Sequence, residues 1–336
     1  MNFSEMTFED QVHVLQNMSA ADVLNNSITV LTFQEALLNH HLPLSVSIDT
    51  STVPKLTITH VTSTLVWIFA EQEDMNIRSP TIPIVLTQWT TGTSDQWTTR
   101  INNSFSVMRT AVEFLRQTFR ITIAQFNISL GNRWYGYAVN TLPTYFPRKV
   151  NIADEPFADV LTPNRLRSVL RLCRNAEILS IGTLLLPDTF TFRQVLSARH
   201  LILADNPTWF ELSMFQEIRS NCVYLTTTSI TSRDLIGFIN QWCCGAFDNL
   251  NVFQISHDNK ISYEEVIRHL LLVPRHQIRD INMIRQVLTD VGLPLPRRAD
   301  FRSYDGQKYA SLLSDGNRLV FVVWRGIGNA FNVSHL

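Results

Sequence analysis

The fold is decided by the stretch Val223-Tyr-Leu-Thr-Thr-Thr-Ser-Ile-Thr-Ser-Arg-Asp-Leu-Ile-Gly-Phe-Ile-Asn-Gln-Trp242, in which a strand pattern is followed by a helix pattern. Val223–Thr227 is short and rich in apolar and β-branched residues, as strands are. Thr231 is a good N-cap, and the apolar residues after it recur at the spacing of one helix face: Leu235, Phe238, Ile239 and Trp242. Because another strand pattern follows at Val252–Ile255, the sequence predicts an α/β fold.

The strand–helix unit recurs along the chain at a nearly regular interval. Strand patterns are centred near residues 180, 202, 225 and 253, which are 22, 23 and 28 residues apart. Leucine-rich repeats place one strand and one helix in roughly 20–29 residues, although no asparagine recurs at a regular position here. The spacing therefore predicts an irregular, leucine-rich-repeat-like α/β solenoid with a parallel sheet.

A C-terminal β-hairpin is predicted to close this solenoid. Two alternating apolar segments, Arg302–Leu313 and Arg318–Trp324, are joined by Ser314-Asp-Gly-Asn317. An Asp-Gly pair between such segments is a strong hairpin signal. Asp305-Gly306 is likewise expected to form a turn and not to supply a catalytic carboxylate.

The first 42 residues have a different pattern, which predicts a small three-helix unit. Thr7 and Ser19 are suitable N-caps for the first two helices, and a third is predicted over Phe33–Leu38. Helices this short bury little surface by themselves, so the unit must dock on something else. We expect residues 43–104 to be a connecting region of short strands, residues 105–325 to form the α/β body, and residues 326–336 to form a tail.

Composition and charge exclude some classes of protein. The chain has 336 residues, enough for about two domains, and its 28 basic and 29 acidic residues argue against nucleic-acid binding through bulk positive charge. Only four of the basic residues are lysines: Lys55, Lys149, Lys260 and Lys308. Residues 1–54 contain six acidic residues and no lysine or arginine, so the charge distribution sets the N-terminal unit apart.

The sequence predicts no membrane partner, metal or cofactor. The longest uncharged apolar run, Leu65–Ala70, is far shorter than the ~20 residues that span a bilayer, and the N-terminal segment has no signal-peptide pattern. The four cysteines lack the spacing of a zinc site. Because no Gly-x-Ser-x-Gly elbow, P-loop or His-Glu-x-x-His motif occurs, we expect no catalytic residues, and we expect a cytoplasmic and/or nuclear location.

Several segments resemble the nematode F-box proteins that carry a type 2 F-box-associated domain. The longest matching segment is Leu225–Trp242, and its matching residues are Ile230, Thr231, Asp234, Leu235, Phe238, Ile239 and Trp242. The next strand, Asn249–Ile255, also matches, as do the C-terminal segments Asp300–Gly306 and Phe321–Trp324. The resemblance covers residues 105–325 well and residues 44–104 loosely.

The N-terminal unit is similar to an F-box. The apolar stripe Val12, Leu15 and Met18, followed by Ser19–Leu24 and Ser27-Ile28, has the rhythm of that motif. The unit departs from the family in three ways: it lacks the leading Leu-Pro, has Ala20 where proline is usual, and lacks the basic pair after the second helix.

The resemblance implies a non-catalytic substrate receptor of a Skp–cullin–F-box ubiquitin ligase. The F-box-like unit is expected to bind the Skp-family adaptor, and through it a cullin, with Phe8, Val12, Leu15, Met18, Val23, Leu24 and Ile28. The solenoid is expected to bind an unknown target protein with its concave strand face or its rim loops. Two alternatives stay open: the N-terminal stripe packs on the chain's own body, or the protein is a stand-alone scaffold whose degenerate F-box no longer binds the adaptor.

Overall fold

Helices and strands alternate in both units of the chain, Met1–Glu155 and Pro156–Leu336. The computed structural model describes residues 5–29, 33, 37, 42–72, 85, 90–131, 135–136, 138–140, 147–153, 163–173, 176–182, 184, 196–204, 210, 214–215, 218–226, 230–257, 261–270, 272 and 297–324. The predicted tail, residues 326–336, lies outside these residues.

The first two helices of the first unit begin at the caps that the sequence predicts, Thr7 and Ser19, and a third helix begins after Asn103. They are α1 (Phe8–Asn17), α2 (Ala20–Thr29) and α3 (Ser104–Thr118). The Thr7 and Ser19 hydroxyls accept hydrogen bonds from the backbone N–H groups of Asp10 and Asp22, which ties down the first turns of α1 and α2. Of the predicted third helix only Phe33 and Leu37 are described, and both are helical and buried.

The first unit contains a mixed sheet. Its strands are β1 (Pro43–Asp49), β2 (Lys55–His60), β3 (Ser63–Glu71), β4 (Thr90–Gly92), β5 (Gln96–Ile101), β6 (Arg120–Ser129) and β7 (Lys149–Ala153), in the order β7-β6-β1-β2-β3-β5-β4. β6 pairs in parallel with β1 and β7, whereas β1, β2 and β3 are antiparallel. Along β2 and β3 every second side chain is buried, which gives the sheet one apolar and one polar face.

Helices cover the sheet of the first unit, and this places the predicted domain boundaries inside it. α2 packs on β2 and β3, and α3 packs on β3 and β6. The two units divide after Glu155, and the predicted boundaries after residues 42 and 104 fall inside the first unit, where α2 and α3 pack on its strands. The division of the chain into functional domains stays a prediction.

The second unit confirms the predicted parallel strands. Its helices are α4 (Pro163–Leu172), α5 (Ser232–Cys243) and α6 (Tyr263–Arg268). Its strands are β8 (Ile178–Ile181), β9 (His200–Leu203), β10 (Cys222–Thr226), β11 (Val252–Ser256), β12 (Arg297–Arg302), β13 (Tyr309–Ser314) and β14 (Arg318–Trp324). β8, β9, β10 and β11 pair in parallel and in chain order.

The predicted hairpin is confirmed as β13 and β14, which pair antiparallel on either side of Asp315-Gly316-Asn317. Its first strand begins at Tyr309, seven residues later than predicted at Arg302, because the chain turns between Ser303 and Lys308, whose N–H and C=O groups are 2.9 Å apart. The residues before this turn form β12, an unpredicted strand that pairs with β13. β14 in turn pairs with β11, so the hairpin continues the parallel strands.

Phe238 and Trp242, on the apolar stripe of α5, belong to the core of the second unit. Both side chains are buried on α5, where Phe238 lies 4.8 Å from the ring of Phe253 and Trp242 lies 5.2 Å from that of Phe321. The opposite face of these strands is buried too, through Cys222, Tyr224, Val252, Leu313, Val320, Val322 and Trp324. A sheet buried on both faces explains why its strands are almost continuously apolar.

Candidate interaction surfaces

The structure divides the predicted adaptor-binding residues into an exposed and a buried group. Phe8 is 64% exposed, and Val12 and Met18 are half-buried. Three members are instead fully buried in their own chain: Leu15, Val23 and Leu24. They contribute to the core of the first unit, and their contact with an adaptor stays a prediction. Ile28 belongs to α2, but its side chain lies outside the described part of the chain.

Two hydrogen bonds attach the N-terminal helices to the sheet. The Nε2 atom of buried His60, at the end of β2, lies 2.8 Å from the carbonyl oxygen of Leu15 in the last turn of α1. The Ser63 hydroxyl, at the start of β3, accepts a hydrogen bond of 2.8 Å from the N–H of Ala20 at the start of α2. Because the last carbonyls of a helix have no partner within the helix, His60 acts as a tertiary C-cap.

A row of polar side chains crosses the other face of this sheet. Lys55, Asp49, Asn127 and Asn151 occupy paired positions on β2, β1, β6 and β7. The Asp49 carboxylate contacts Lys55 Nζ at 3.3 Å and Asn127 Nδ2 at 3.2 Å, and Asn127 Oδ1 accepts a bond of 2.7 Å from Asn151 Nδ2. The ion pair and the two hydrogen bonds therefore link the four neighbouring strands to one another.

The Asp49 carboxyl is held in its ionised form. Burial raises its pKa, but hydrogen bonds from the side chain and backbone of Ser51 and from Asn127, together with the charge of Lys55, outweigh burial. The net result is a pKa below the usual value. The row is therefore a charged structural feature at neutral pH.

In the second unit a polar residue precedes each parallel strand. These residues are Glu177, Arg199, Asn221 and Asn251. A backbone hydrogen bond recurs at these positions: the first N–H of each of β9, β10 and β11 donates to the carbonyl of the residue that precedes the neighbouring strand. The acceptors are Glu177, Arg199 and Asn221, in that order, at 2.9–3.1 Å. The predicted absence of a regular asparagine position is thus only partly right, because Asn221 and Asn251 are equivalent by register.

A cleft of about 690 Å³ opens at this same end of the sheet, where the strands begin. Its walls come from the segments that precede β10 and β11 and from the end of α5. The buried side chains of Phe215, Ile218 and Leu250 form an apolar floor, and Phe247 adds a half-buried ring. Polar residues form the rim, namely Arg219, Asn240, Gln241, Asp248 and Asn249.

The end of α5 shapes the cleft. Gly245 adopts a φ of +94°, its N–H donates to the Trp242 carbonyl at 2.9 Å, and the Ala246 N–H donates to the Gln241 carbonyl at 3.0 Å. This is a Schellman motif, which stops a helix and turns the chain away from its axis. Phe247 also has a positive φ, of +61°, an uncommon conformation for a bulky residue. The turn thereby lets residues 246–250 line the same cleft as Phe215 and residues 218–220.

Charges on the rim are unevenly satisfied. Asp248 is neutralised by an ion pair with Lys308, and Tyr304 reaches the side chain of Asn240 at 3.4 Å. Arg219 is exposed, and among the described residues it has no ion pair or side-chain hydrogen bond. The Ser220 hydroxyl in the wall is buried, at 2% exposure of the residue, and has no hydrogen-bond partner in the described structure. The cleft therefore has a cation on its rim and a buried hydroxyl in its wall, and no described side chain pairs with either of them.

The cysteine thiols differ sharply in accessibility. Burial raises the pKa of Cys173 to about 12 and that of Cys222 and Cys243 to about 11, so these thiols stay protonated at neutral pH. Cys244 is exposed and lies in the wall of the cleft. No group of three His, Cys, Asp or Glu side chains within the described ranges is placed to hold a metal ion.

Comparisons with protein families, curated proteins and solved structures found no match to this chain. None of the described helices combines the length and apolar character required to cross a membrane. The predicted resemblance to F-box proteins therefore stays a prediction.

Sequence reasoning missed the cleft. Its rim residues resemble ordinary turn residues, and their sequence spacing does not reveal that two loops face each other. The one available signal was the pair Cys244-Gly245 directly after the helical stripe, since glycine at that position marks a turn out of the helix. Burial of β10 and β11 on both faces also removes the predicted strand-face surface there and leaves the rim loops.

Proposed function

We propose that this protein is a non-catalytic substrate receptor of a Skp–cullin–F-box ubiquitin ligase. The N-terminal F-box-like helices bind the Skp-family adaptor, and the second unit, an irregular leucine-rich-repeat-like solenoid, binds the target protein. The observation that carries the proposal is the in-order parallel pairing of β8–β11 with a polar residue before each strand. Stacked repeats of this kind build extended binding surfaces.

Within this proposal the adaptor contact lies on one side of α1. Phe8, Val12 and the half-buried C-cap Met18 remain at least partly exposed, whereas Leu15 faces the sheet. An exposed aromatic residue on an amphipathic helix is a common anchor in helix-in-groove recognition. Phe8 and Val12, one helical turn apart, therefore supply the main contact.

Such a receptor would accelerate ubiquitin transfer by proximity alone. Binding a target and the ligase at once makes ubiquitin transfer effectively intramolecular and raises the effective concentration of the target lysines. The receptor needs no acid, base or nucleophile for this.

A second candidate function is a stand-alone protein-interaction scaffold that does not bind the adaptor. The burial of Leu15, Val23 and Leu24 favours it, because three of the seven predicted adaptor contacts already pack within the chain. In this case the helices only complete the first unit, and the cleft of the second unit still binds a partner.

Co-purification of the full chain with a Skp-family adaptor separates the two functions. The informative variant is Phe8→Asp with Val12→Asp, which places charges on the exposed side of α1. The matched control is Val53→Asp with Val61→Asp, two exposed valines of the same unit that were not predicted to bind. Loss of the adaptor from the first variant alone supports the receptor. A wild-type chain that retains no adaptor, or equal retention by both variants, contradicts it.

A further inference from the structure

We propose that the cleft of the second unit binds a short peptide in which an acidic residue neighbours an apolar one. The cleft is lined by Phe215, residues 218–220, residues 240–241 and residues 244–250, all within one unit. The inference rests on the proposed function only in assigning this peptide to the target protein. The chemistry of the peptide follows from the floor, the rim and the charges.

The floor selects an apolar side chain. Phe215, Ile218 and Leu250 are each at least nine-tenths buried, yet all three line the cleft. Phe215 is rigidly placed, since its ring lies 4.7 Å from Phe253 and 4.8 Å from Phe238. A preformed apolar surface with a few polar groups around it is typical of binding sites.

The rim suits a peptide backbone. The rim includes three residues with side-chain amides: Asn240, Gln241 and Asn249. Each amide group can both donate and accept hydrogen bonds. A peptide backbone needs both kinds of partner once it leaves water. Three amides around an apolar floor therefore match an extended peptide better than a compact apolar ligand.

The charges select an acidic side chain. Arg219 is a rim cation that no described residue neutralises. Asp248, the acidic residue of the rim, already forms an ion pair with Lys308. Residues 156–336 carry 19 basic and 16 acidic residues, so the wider unit also attracts an anion. Phosphate readers usually present clusters of arginine, whereas one guanidinium matches one carboxylate. A glutamate or aspartate is therefore favoured over a phosphorylated residue.

The Ser220 hydroxyl gives an independent sign of a ligand. It is buried in the wall next to Arg219 without a hydrogen-bond partner, an arrangement that costs stability unless something binds there. A carboxylate or a peptide carbonyl held by Arg219 would supply the missing partner. The Ser220 hydroxyl would thus be hydrogen-bonded when the peptide is bound and unpaired when it is absent.

The test uses the purified full chain and an array of fluorescent hexapeptides. Each peptide places Asp or Glu next to Leu, Ile, Val, Phe, Met or Trp, in both orders, between Gly and Ser residues. Matched arrays carry Lys in place of the acid or Ser in place of the apolar residue. Fluorescence anisotropy is expected to show salt-sensitive binding to members of the first array only. No binding by any member, or equal binding by the Lys array, overturns the proposal.

Variants locate the site. Arg219→Glu should weaken binding by about tenfold or more, the effect of one charge-assisted hydrogen bond, while Arg219→Lys keeps part of it. Arg233→Glu is the matched control, because it makes the same charge change at an exposed position of α5 that does not line the cleft. Equal weakening by Arg219→Glu and Arg233→Glu would show that binding is unspecific electrostatics and would refute the site.

Cys244 supplies a readout inside the cleft. It is the one exposed cysteine of the chain, so maleimide labels it selectively, and a bound peptide should slow that labelling. Ser220→Ala should weaken binding several-fold without lowering the unfolding temperature, which a purely structural serine would not do. Unchanged labelling at saturating peptide contradicts the proposal. These measurements involve no adaptor, so their failure is distinct from failure of the receptor function.

Discussion

Replacing His60 tests how the N-terminal helices are held. Its Nε2–H donates to the Leu15 carbonyl at 2.8 Å, and both residues are buried. Glutamine places its amide nitrogen the same number of bonds from Cβ as Nε2, whereas the asparagine nitrogen is one bond short. We therefore expect His60→Gln to keep the bond and His60→Asn to lose it, leaving a buried carbonyl unpaired at a cost of about 1–3 kcal/mol.

Hydrogen exchange of α1 and α2 measures this cost locally. A loss of about 1–3 kcal/mol should speed the exchange of their amides about 5- to 150-fold in His60→Asn, with little change in the second unit. His60→Gln should stay close to the wild type. Equal exchange in the two variants would refute the C-cap role of His60, since they differ chiefly in the reach of the donor.

The same pair of variants bears on adaptor binding. If the adaptor contacts the exposed side of α1, loosening the helices adds an ordering cost, and His60→Asn should retain less adaptor than His60→Gln. If the adaptor instead needs Leu15, Val23 and Leu24, which are buried here, loosening them should increase retention. An increase would contradict the narrowed contact at Phe8 and Val12.

Further predictions concern stability, pH and turnover. Val61→Gly should stabilise the protein by up to about 1 kcal/mol in urea unfolding, because Val61 has a φ of +48° and is 60% exposed; a loss of stability would contradict this. Trp242→Ala should cost about 3–5 kcal/mol as a buried cavity, and a cost below about 1 kcal/mol would argue against its core role. The lowered pKa of Asp49 contributes stability above about pH 4 that is lost as the pH falls through the folded-state pKa, so Asp49→Asn should flatten the acid limb of the stability curve; an unchanged limb would refute it. If lysine scarcity limits self-ubiquitination, Arg171→Lys with Arg233→Lys should shorten the cellular half-life in a proteasome-dependent way, whereas arginine-codon bias alone predicts no change.

The elements that the sequence predicts well are those encoded by neighbouring residues. Thr231 and Asp234 form a reciprocal capping box at the start of α5, and the Asp315-Gly316 turn joins β13 and β14. Parallel strands were also predictable, because regular spacing between short apolar runs requires crossovers of similar length. Each of these signals lies within about 30 residues of chain.

The features that escaped prediction depend on contacts distant in sequence. The stripe of α1 shows that one side is apolar but not what covers it, and the covering strands follow about 45 residues later, as the Leu15–His60 bond shows. β12 was missed because Arg297 and Arg298 interrupt its apolar pattern. Arg298 contacts the buried Asp300 carboxylate at 2.6 Å. Because these two residues are charged, the sequence of β12 does not look like that of a buried strand.

The position of the cleft bears on whether the second unit binds a partner or performs chemistry. In parallel α/β sheets, reactive ligands usually lie beyond the carboxyl ends of the strands, where helices begin and their N-termini attract anions. The cleft lies at the opposite edge, where β10 and β11 begin and α5 ends, and the Schellman motif already satisfies the last carbonyls of that helix. Anion recognition there must come from a side chain, which gives Arg219 its importance. The backbone bonds from the strands to Arg199 and Asn221 fix the loops that carry it. A fixed, apolar-floored cleft with one unsatisfied cation favours recognition of a peptide, as the proposed receptor requires.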